Sequence, residues 1–208
     1  MNPFNPDAGS TPAPVDPADI ALVEDAARAM WRAVPYFASR YGERGRAFGR
    51  SDAGYLVTLS GMDEATARAQ VAWLAGVLAP RGMPSLLLEI QLEILGRIAT
   101  RREAPGAGRF LGLAAELRAK RLGALDALTA QACEDRCRRA GPGQRRRGAG
   151  LLIAAAVADR ATGLGDHDEA LVRWLAEAEP GDSAWATACT EARALAISRC
   201  PRLGGVGR

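Results

Sequence analysis

Three observations predict an all-α protein, a single globular bundle of about eight helices. Apolar residues recur every three or four positions through most of the chain. Aspartates stand where those runs begin, and prolines or glycines where they end. The joints between the runs are short.

The elements follow in order. Residues 1–16 (MNPFNPDAGSTPAPVD) are rich in proline and poor in apolar side chains, which predicts a disordered or extended tail. Asp16 as N-cap and Pro17 at the first helical position open a helix carrying Ile20, Val23, Ala27, Met30, Trp31 and Val34, which Pro35 stops or kinks. A second, short helix starts near Ser51 and carries Tyr55, Leu56 and Leu59; GYLVTLSG also admits a strand. Asp63 caps a third, with Ala67, Val71, Leu74 and Leu78 on one face and Pro80 and Gly82 at its end. Pro84 restarts the chain into a helix with a wide apolar face, Leu87 to Ile98, and a wet stripe of Glu89, Glu93 and Arg97.

Residues 102–108 form a linker, a possible subdivision of the domain at 17–200. Residues 109–140 make one helix, or two broken near Gly123, and 140–150 a loop. The run 150–162 is so apolar that it predicts a buried helix, which favours one domain over two. Asp166 with Glu169 three residues on suggests a capping box, which accounts for the Asp166, His167, Asp168 triplet as helix capping. Asp182 and Pro201 bound the last helix, and 201–208 fray.

Composition excludes several chemistries. The chain is 48% apolar and 25% charged, ordinary for a globular protein. No apolar run approaches the roughly 18 residues that span a bilayer, and no secretory signal is seen, so the expected location is the cytoplasm. Cys133, Cys137, Cys189 and Cys200 form no C-x-x-C pair, and Cys133 and Cys137 lie on one helical face as small core side chains. His167 is the sole histidine. H-E-x-x-H, paired E-x-x-H, G-x-S-x-G and the P-loop are all absent. The residues name no metal, cofactor or catalytic group, which favours binding over bond-making.

Two stretches carry charge worth attention. Twenty-six of the 27 basic residues are arginines, in an alanine- and glycine-rich composition of GC-rich, bacterial character, so arginine count alone says little about partners. Position says more: residues 101–147 hold 12 basic and 5 acidic side chains. Within them Arg136, Arg138, Arg139, Arg145, Arg146 and Arg147 crowd a helix end and a glycine-rich loop. That is a candidate seat for phosphate or an acidic surface, but no aromatic residue lies between Phe110 and Trp174 to stack on bases.

The other stretch, YFASRYGERGRAFGRSDAGYL at 36–56, interleaves both kinds of side chain. Its glycines predict a loop that joins two helices, with rings anchored in the core and Arg44 or Arg46 pairing with Glu43 or Asp52. Tyr36, Arg40, Tyr41, Arg44, Arg46, Phe48 and Arg50 are its candidate binding residues. The sequence therefore favours a non-enzymatic adaptor-type or regulatory protein that engages another protein or a small anionic ligand through 36–56. A nucleic-acid-associated protein using 101–147 is the alternative, and an enzyme or cofactor carrier with a pocket hidden from sequence is a third.

Overall fold

The computed structural model describes residues 2–141, 143 and 146–203. The described residues contain nine α-helices and no strand. They are α1 (Pro17–Ala33), α2 (Pro35–Thr58), α3 (Glu64–Leu78), α4 (Ser85–Arg101), α5 (Ala107–Ala124), α6 (Ala127–Arg139), α7 (Ala149–Ala161), α8 (Asp168–Glu177) and α9 (Ser183–Arg199). They divide into two compact units. The first joins Met1–Trp73 with Leu88–Glu116, and the second Leu74–Leu87 with Leu117–Arg208. The units part inside α3, α4 and α5.

In the first unit α1 packs on α2. Asp16 caps α1 as expected, its Oδ1 accepting from the Ala18 N–H at 2.7 Å. Leu22, Val23, Ala26 and Met30 turn inward and bury against a core that includes Leu56 and Val57 of α2. The N-terminal segment is seated here, not left extended. Asn2 Oδ1 accepts from the Phe4 and Asn5 N–H groups at 2.9 and 3.2 Å, which folds the segment back on itself. Phe4 is buried so closely over Gly54 that a Cβ there would lie 2.9 Å from its ring. A single aromatic anchor overrides the extended bias of the prolines.

The largest correction concerns residues 36–56, which are helical, not a loop. Pro35 ends α1 and at once occupies the first position of α2, where its missing N–H costs nothing. The helix breaks at Gly42 (φ 53°, ψ −151°), a conformation that favours glycine. The kink brings Gly45 against Tyr41, where an added Cβ would lie 2.1 Å from the tyrosine Cβ. Ser51 does not start a helix: it lies inside one, its hydroxyl donating to the Phe48 carbonyl at 2.8 Å. Burial of Ser51, Ala53, Leu56 and Val57 outweighs the roughly 1 kcal/mol that each helical glycine costs. Glu89 is likewise corrected: it is 2% exposed and not on a wet face, whereas Glu93 does pair with Arg97 at 3.7 Å.

In the second unit α6 packs against α7 and α9, and α8 against α7 and α9. The apolar run predicted to be buried is α7, with Leu152, Ile153 and Val157 in the core. α5 and α6 are separate helices, divided at Asp126, whose Oδ1 caps α6 through the Thr129 N–H at 2.9 Å. The capping box of α8 is not formed. His167 is the residue before the helix and gives no side-chain cap, while Asp168 is drawn inward to Arg193 and Asp166 stays at the surface, 3.6 Å from Arg160. Asp182 caps α9 as expected, at 2.9 Å from the Trp185 N–H.

Candidate functional site

The seven residues singled out in 36–56 all fall on α2, and its kink decides their neighbours. Before the kink, Arg40 lies over the rings of Tyr36 and Tyr41, 5.6 and 5.5 Å from the centroids, and donates to the Tyr36 hydroxyl. The two rings meet edge to face at 5.9 Å. Burial, then the neighbouring Tyr41, holds the Tyr36 phenol well above its usual range, and burial raises Tyr41 as well. Both stay neutral hydroxyls, which makes them hydrogen-bonding groups and not bases.

After the kink, Arg44 lies over Phe48 at 5.7 Å, Arg46 over Trp31 of α1 at 5.6 Å, and Arg50 over Phe4 at 5.9 Å. Arg50 is also tied to Glu24 of α1, Nε to Oε1 at 3.0 Å. Arg46 pairs with Glu43 at 3.7 Å, an exposed pair of the kind the sequence suggests and of little energetic weight. Tyr36, Tyr41 and Arg50 are therefore structural anchors, and Arg44 and Arg46 carry charge outward.

Beside Arg46 the first unit holds a small open cavity of about 20 Å³, the space of one water molecule. Ala27, Met30 and Trp31 of α1 form one wall, and Phe37, Gly45 and Gly49 of α2 another. Gln91 of α4 completes it. Met30 and Gln91 are 4% and 6% exposed and form the floor, while the Arg46 side chain is half exposed at the rim. Gln91 Nε2 is buried and has no hydrogen-bond acceptor. A buried amide N–H₂ without an acceptor is costly.

Sequence reasoning missed Gln91 and gave Trp31 only a core role. The signal for Gln91 was present: it interrupts the apolar face of LLLEIQLEIL, off the stripe of Glu89, Glu93 and Arg97.

The basic stretch at 136–147 is mostly neutralised. Arg146 is 13% exposed, stacks on Trp185 at 4.9 Å, reaches Asp182 at 2.6 Å and donates to the Ala140 carbonyl at 3.0 Å. Arg136 pairs with Glu191 and Arg138 with Asp135. Arg139 and Arg147 are exposed, and Arg145 lies outside the described residues. The helix N-terminus beside them is already filled. Glu134 is buried and accepts from the N–H groups of Gly148, Gly150 and Leu151 at 3.0, 3.0 and 3.4 Å, so α7 begins on a resident carboxylate.

The second unit also buries a polar cluster. Asp159 accepts from the Ser85 N–H at 2.8 Å and from the Ser85 hydroxyl, and His167 Nε2 lies 3.7 Å from it. The carboxylate stands between serine and histidine, the wrong order for a relay that activates serine, and all three residues are buried. Burial pushes the Asp159 carboxyl up to about 6, although Ser85 pulls the other way. Asp168 is fully buried against Arg193 at 2.7 Å.

The four cysteines are free thiols in the core. Burial pushes Cys133 up to about 11, and contact with Cys189 together with burial raises Cys137 further, so neither supplies a thiolate at neutral pH. Among the described residues no group of three His, Cys, Asp or Glu side chains is placed to hold a metal ion. No helix among them is long and apolar enough to cross a membrane. No family model, curated protein or solved structure matches the chain.

Proposed function

We propose that this chain is a non-enzymatic helical binding protein that recognises a small anionic ligand through α2, with Arg46 and Arg44 supplying the charge. The observation that carries this reading is the pair of guanidiniums that α2 turns outward, Arg44 over Phe48 and the half-exposed Arg46 over Trp31. Arg46 meets Glu43 only at 3.7 Å in an exposed pair, which leaves its guanidinium open to solvent on the ring of Trp31. Tyr36 and Tyr41 on the same helix are held neutral by burial, which supports binding rather than turnover. Four unpaired cysteines suit a reducing compartment, which supports a cytoplasmic location. The basic stretch supports nucleic-acid binding less well, since carboxylates or backbone carbonyls already engage Arg136, Arg138 and Arg146.

Native mass spectrometry of the full chain purified from its own host tests the reading. A bound small anion is expected, and it is lost from the Arg44→Ala, Arg46→Ala double variant while far-UV circular dichroism stays unchanged. Retention of the ligand by that variant reduces α2 to a structural joint.

A further inference from the structure

α3 is apolar around almost its whole girth. Its only charged residues are Glu64 and Arg68, and Arg68 bonds both Glu64 and, at 2.7 Å, Glu116 of α5. Ala67 and Val71 turn inward and are buried. The opposite face carries Ala65, Thr66, Ala69, Ala72 and Trp73, all of them exposed. A helix with no polar face is ordinarily covered on both sides. Trp73 is the sharpest sign that a cover belongs here: it is 57% exposed, and among the described residues it is the one exposed aromatic. Tyr55 of α2 meets the indole edge to face at 6.1 Å and fixes where it stands. The Thr66 hydroxyl already donates to Asp63 at 2.6 Å, so covering this face leaves it satisfied.

We infer that this face of α3 pairs with the same face of a second copy of the chain, the two helices antiparallel about Ala69, with Trp73 of each seated in the notch between Ala65, Thr66 and Ala69 of the other. Helical spacing supplies the fit. Trp73 and Ala65 lie four residues to either side of Ala69, about 6 Å along the axis and about 40° around it. Reversing a second helix about Ala69 therefore brings its Ala65 level with Trp73, and its Trp73 level with Ala65. A large side chain meets small ones at both ends, as a knob meets a hole in paired helices. The two-fold contact is closed, so assembly stops at a dimer. Charge selects the same partner. The exposed face has no charge to offer a nucleic acid or an anionic membrane, and Arg68 at its edge is held by carboxylates of its own chain. A contact of one helix pair is small for an interface, so the dimer is weak and transient. It is independent of ligand binding at α2.

Sedimentation velocity of the full chain over a wide concentration range tests this. The parent is expected to pass from monomer to dimer as concentration rises. Ala69→Glu places like charges on the two-fold axis, so it should weaken the dimer by roughly tenfold or more, and Ala69→Lys should do the same. Mixed in equal amounts, those two variants should associate again, because opposite charges then meet. Trp73→Ala should also weaken the dimer by roughly tenfold or more, as loss of a central aromatic anchor does. Leu128→Glu, at an exposed apolar position on α6, should leave it unchanged. Circular dichroism checks the fold of each variant.

A chain that stays monomeric throughout overturns the inference, including one that instead retains a different host protein through Trp73. A dimer that Ala69→Glu and Trp73→Ala leave intact lies on another surface and overturns it as well. Failure of the mixed charge variants to associate overturns the register about Ala69.

Discussion

Arg44 and Arg46 on α2 lie over Phe48 and Trp31, whereas Arg136 and Arg146 reach Glu191 and Asp182. In sequence the second group is the denser, six arginines within 136–147. In the fold its Arg146 is the quieter, because Trp185, Asp182 and the Ala140 carbonyl hold it at 13% exposure, while Arg46 is half exposed and meets Glu43 only at 3.7 Å. The same contrast runs through the backbone. The N-terminus of α7 is filled by Glu134, while the pocket at α2 keeps a buried donor without an acceptor. Partner chemistry, not arginine density, separates an internal clamp from a surface that has something left to bind.

The largest expected effect tests whether the 134–150 region is indeed internal structure. Glu134→Ala strips three backbone N–H groups of their carboxylate at once. Charged hydrogen bonds and the groups they leave unpaired imply a loss of about 3 kcal/mol or more. Urea denaturation measures it. Gly150→Ala offers a second handle on the same joint, since its Cβ would lie 2.3 Å from the Cys133 carbonyl oxygen. A neutral result for both variants would free the α7 N-terminus for an external anion and break the contrast.

Nearly as large is the effect of pH on the polar cluster of the second unit. Asp159 is held at about 6, above the ordinary 3.8 of an unfolded aspartate. Between those values the folded chain keeps a proton that the unfolded chain has released. Stability from this group is therefore full below about pH 4 and falls as pH rises to about 6, by about 3 kcal/mol in all. The caps act in the other direction and in another window. Hydrogen bonds from their helices hold Asp63, Asp126 and Asp182 below the usual range, so their contribution is lost only as pH drops beneath it. Asp159→Asn should remove the downward slope between pH 4 and 6 in denaturation curves, and an unchanged slope would refute the assignment.

The two arginine groups can be compared directly. Arg146→Ala loses the stack on Trp185 and the bond to the Ala140 carbonyl, for a cost of about 1–2 kcal/mol. Arg44→Ala, on an exposed turn over Phe48, should stay within about 0.5 kcal/mol. Thermal melts of the two variants decide between them, and equal costs would mean that burial does not separate the two arginine groups.

Much of this was legible in the chain. Asp16, Asp63 and Asp182 cap the helices they precede, and the apolar run ending at Gly163 is a buried helix. Local chemistry sets those features, so sequence carries them. The misreadings have a common cause in tertiary context. Three glycines made 36–56 look like a loop, but only Gly42 breaks the helix; Gly45 is needed for its approach to Tyr41, and Gly49 borders a void. Burial also reversed the reading of Glu89, and the pull of Arg193 on Asp168 displaced the α8 cap by one residue. Of the candidate site, the charged half was visible. Its apolar wall and floor come from α1 and α4, which no spacing within 36–56 can indicate.

One modest effect has the opposite sign from the others, and for that reason it bears hardest on the site. A residue kept for binding at the expense of the fold should yield stability when it is replaced. Gln91 buries an amide nitrogen with no acceptor, among the apolar side chains of Met30 and Phe37. Leaving such a donor unpaired costs about 1–3 kcal/mol. Gln91→Met keeps the volume and removes the donor, so the ligand-free variant should be more stable than the parent by about 1 kcal/mol and melt a few degrees higher. Glu134 predicts the reverse pattern, since its partners are all in place and any replacement loses stability. A Gln91→Met chain that melts below the parent would mean that the amide already has a structural duty, and the floor of the pocket would then belong to the fold alone.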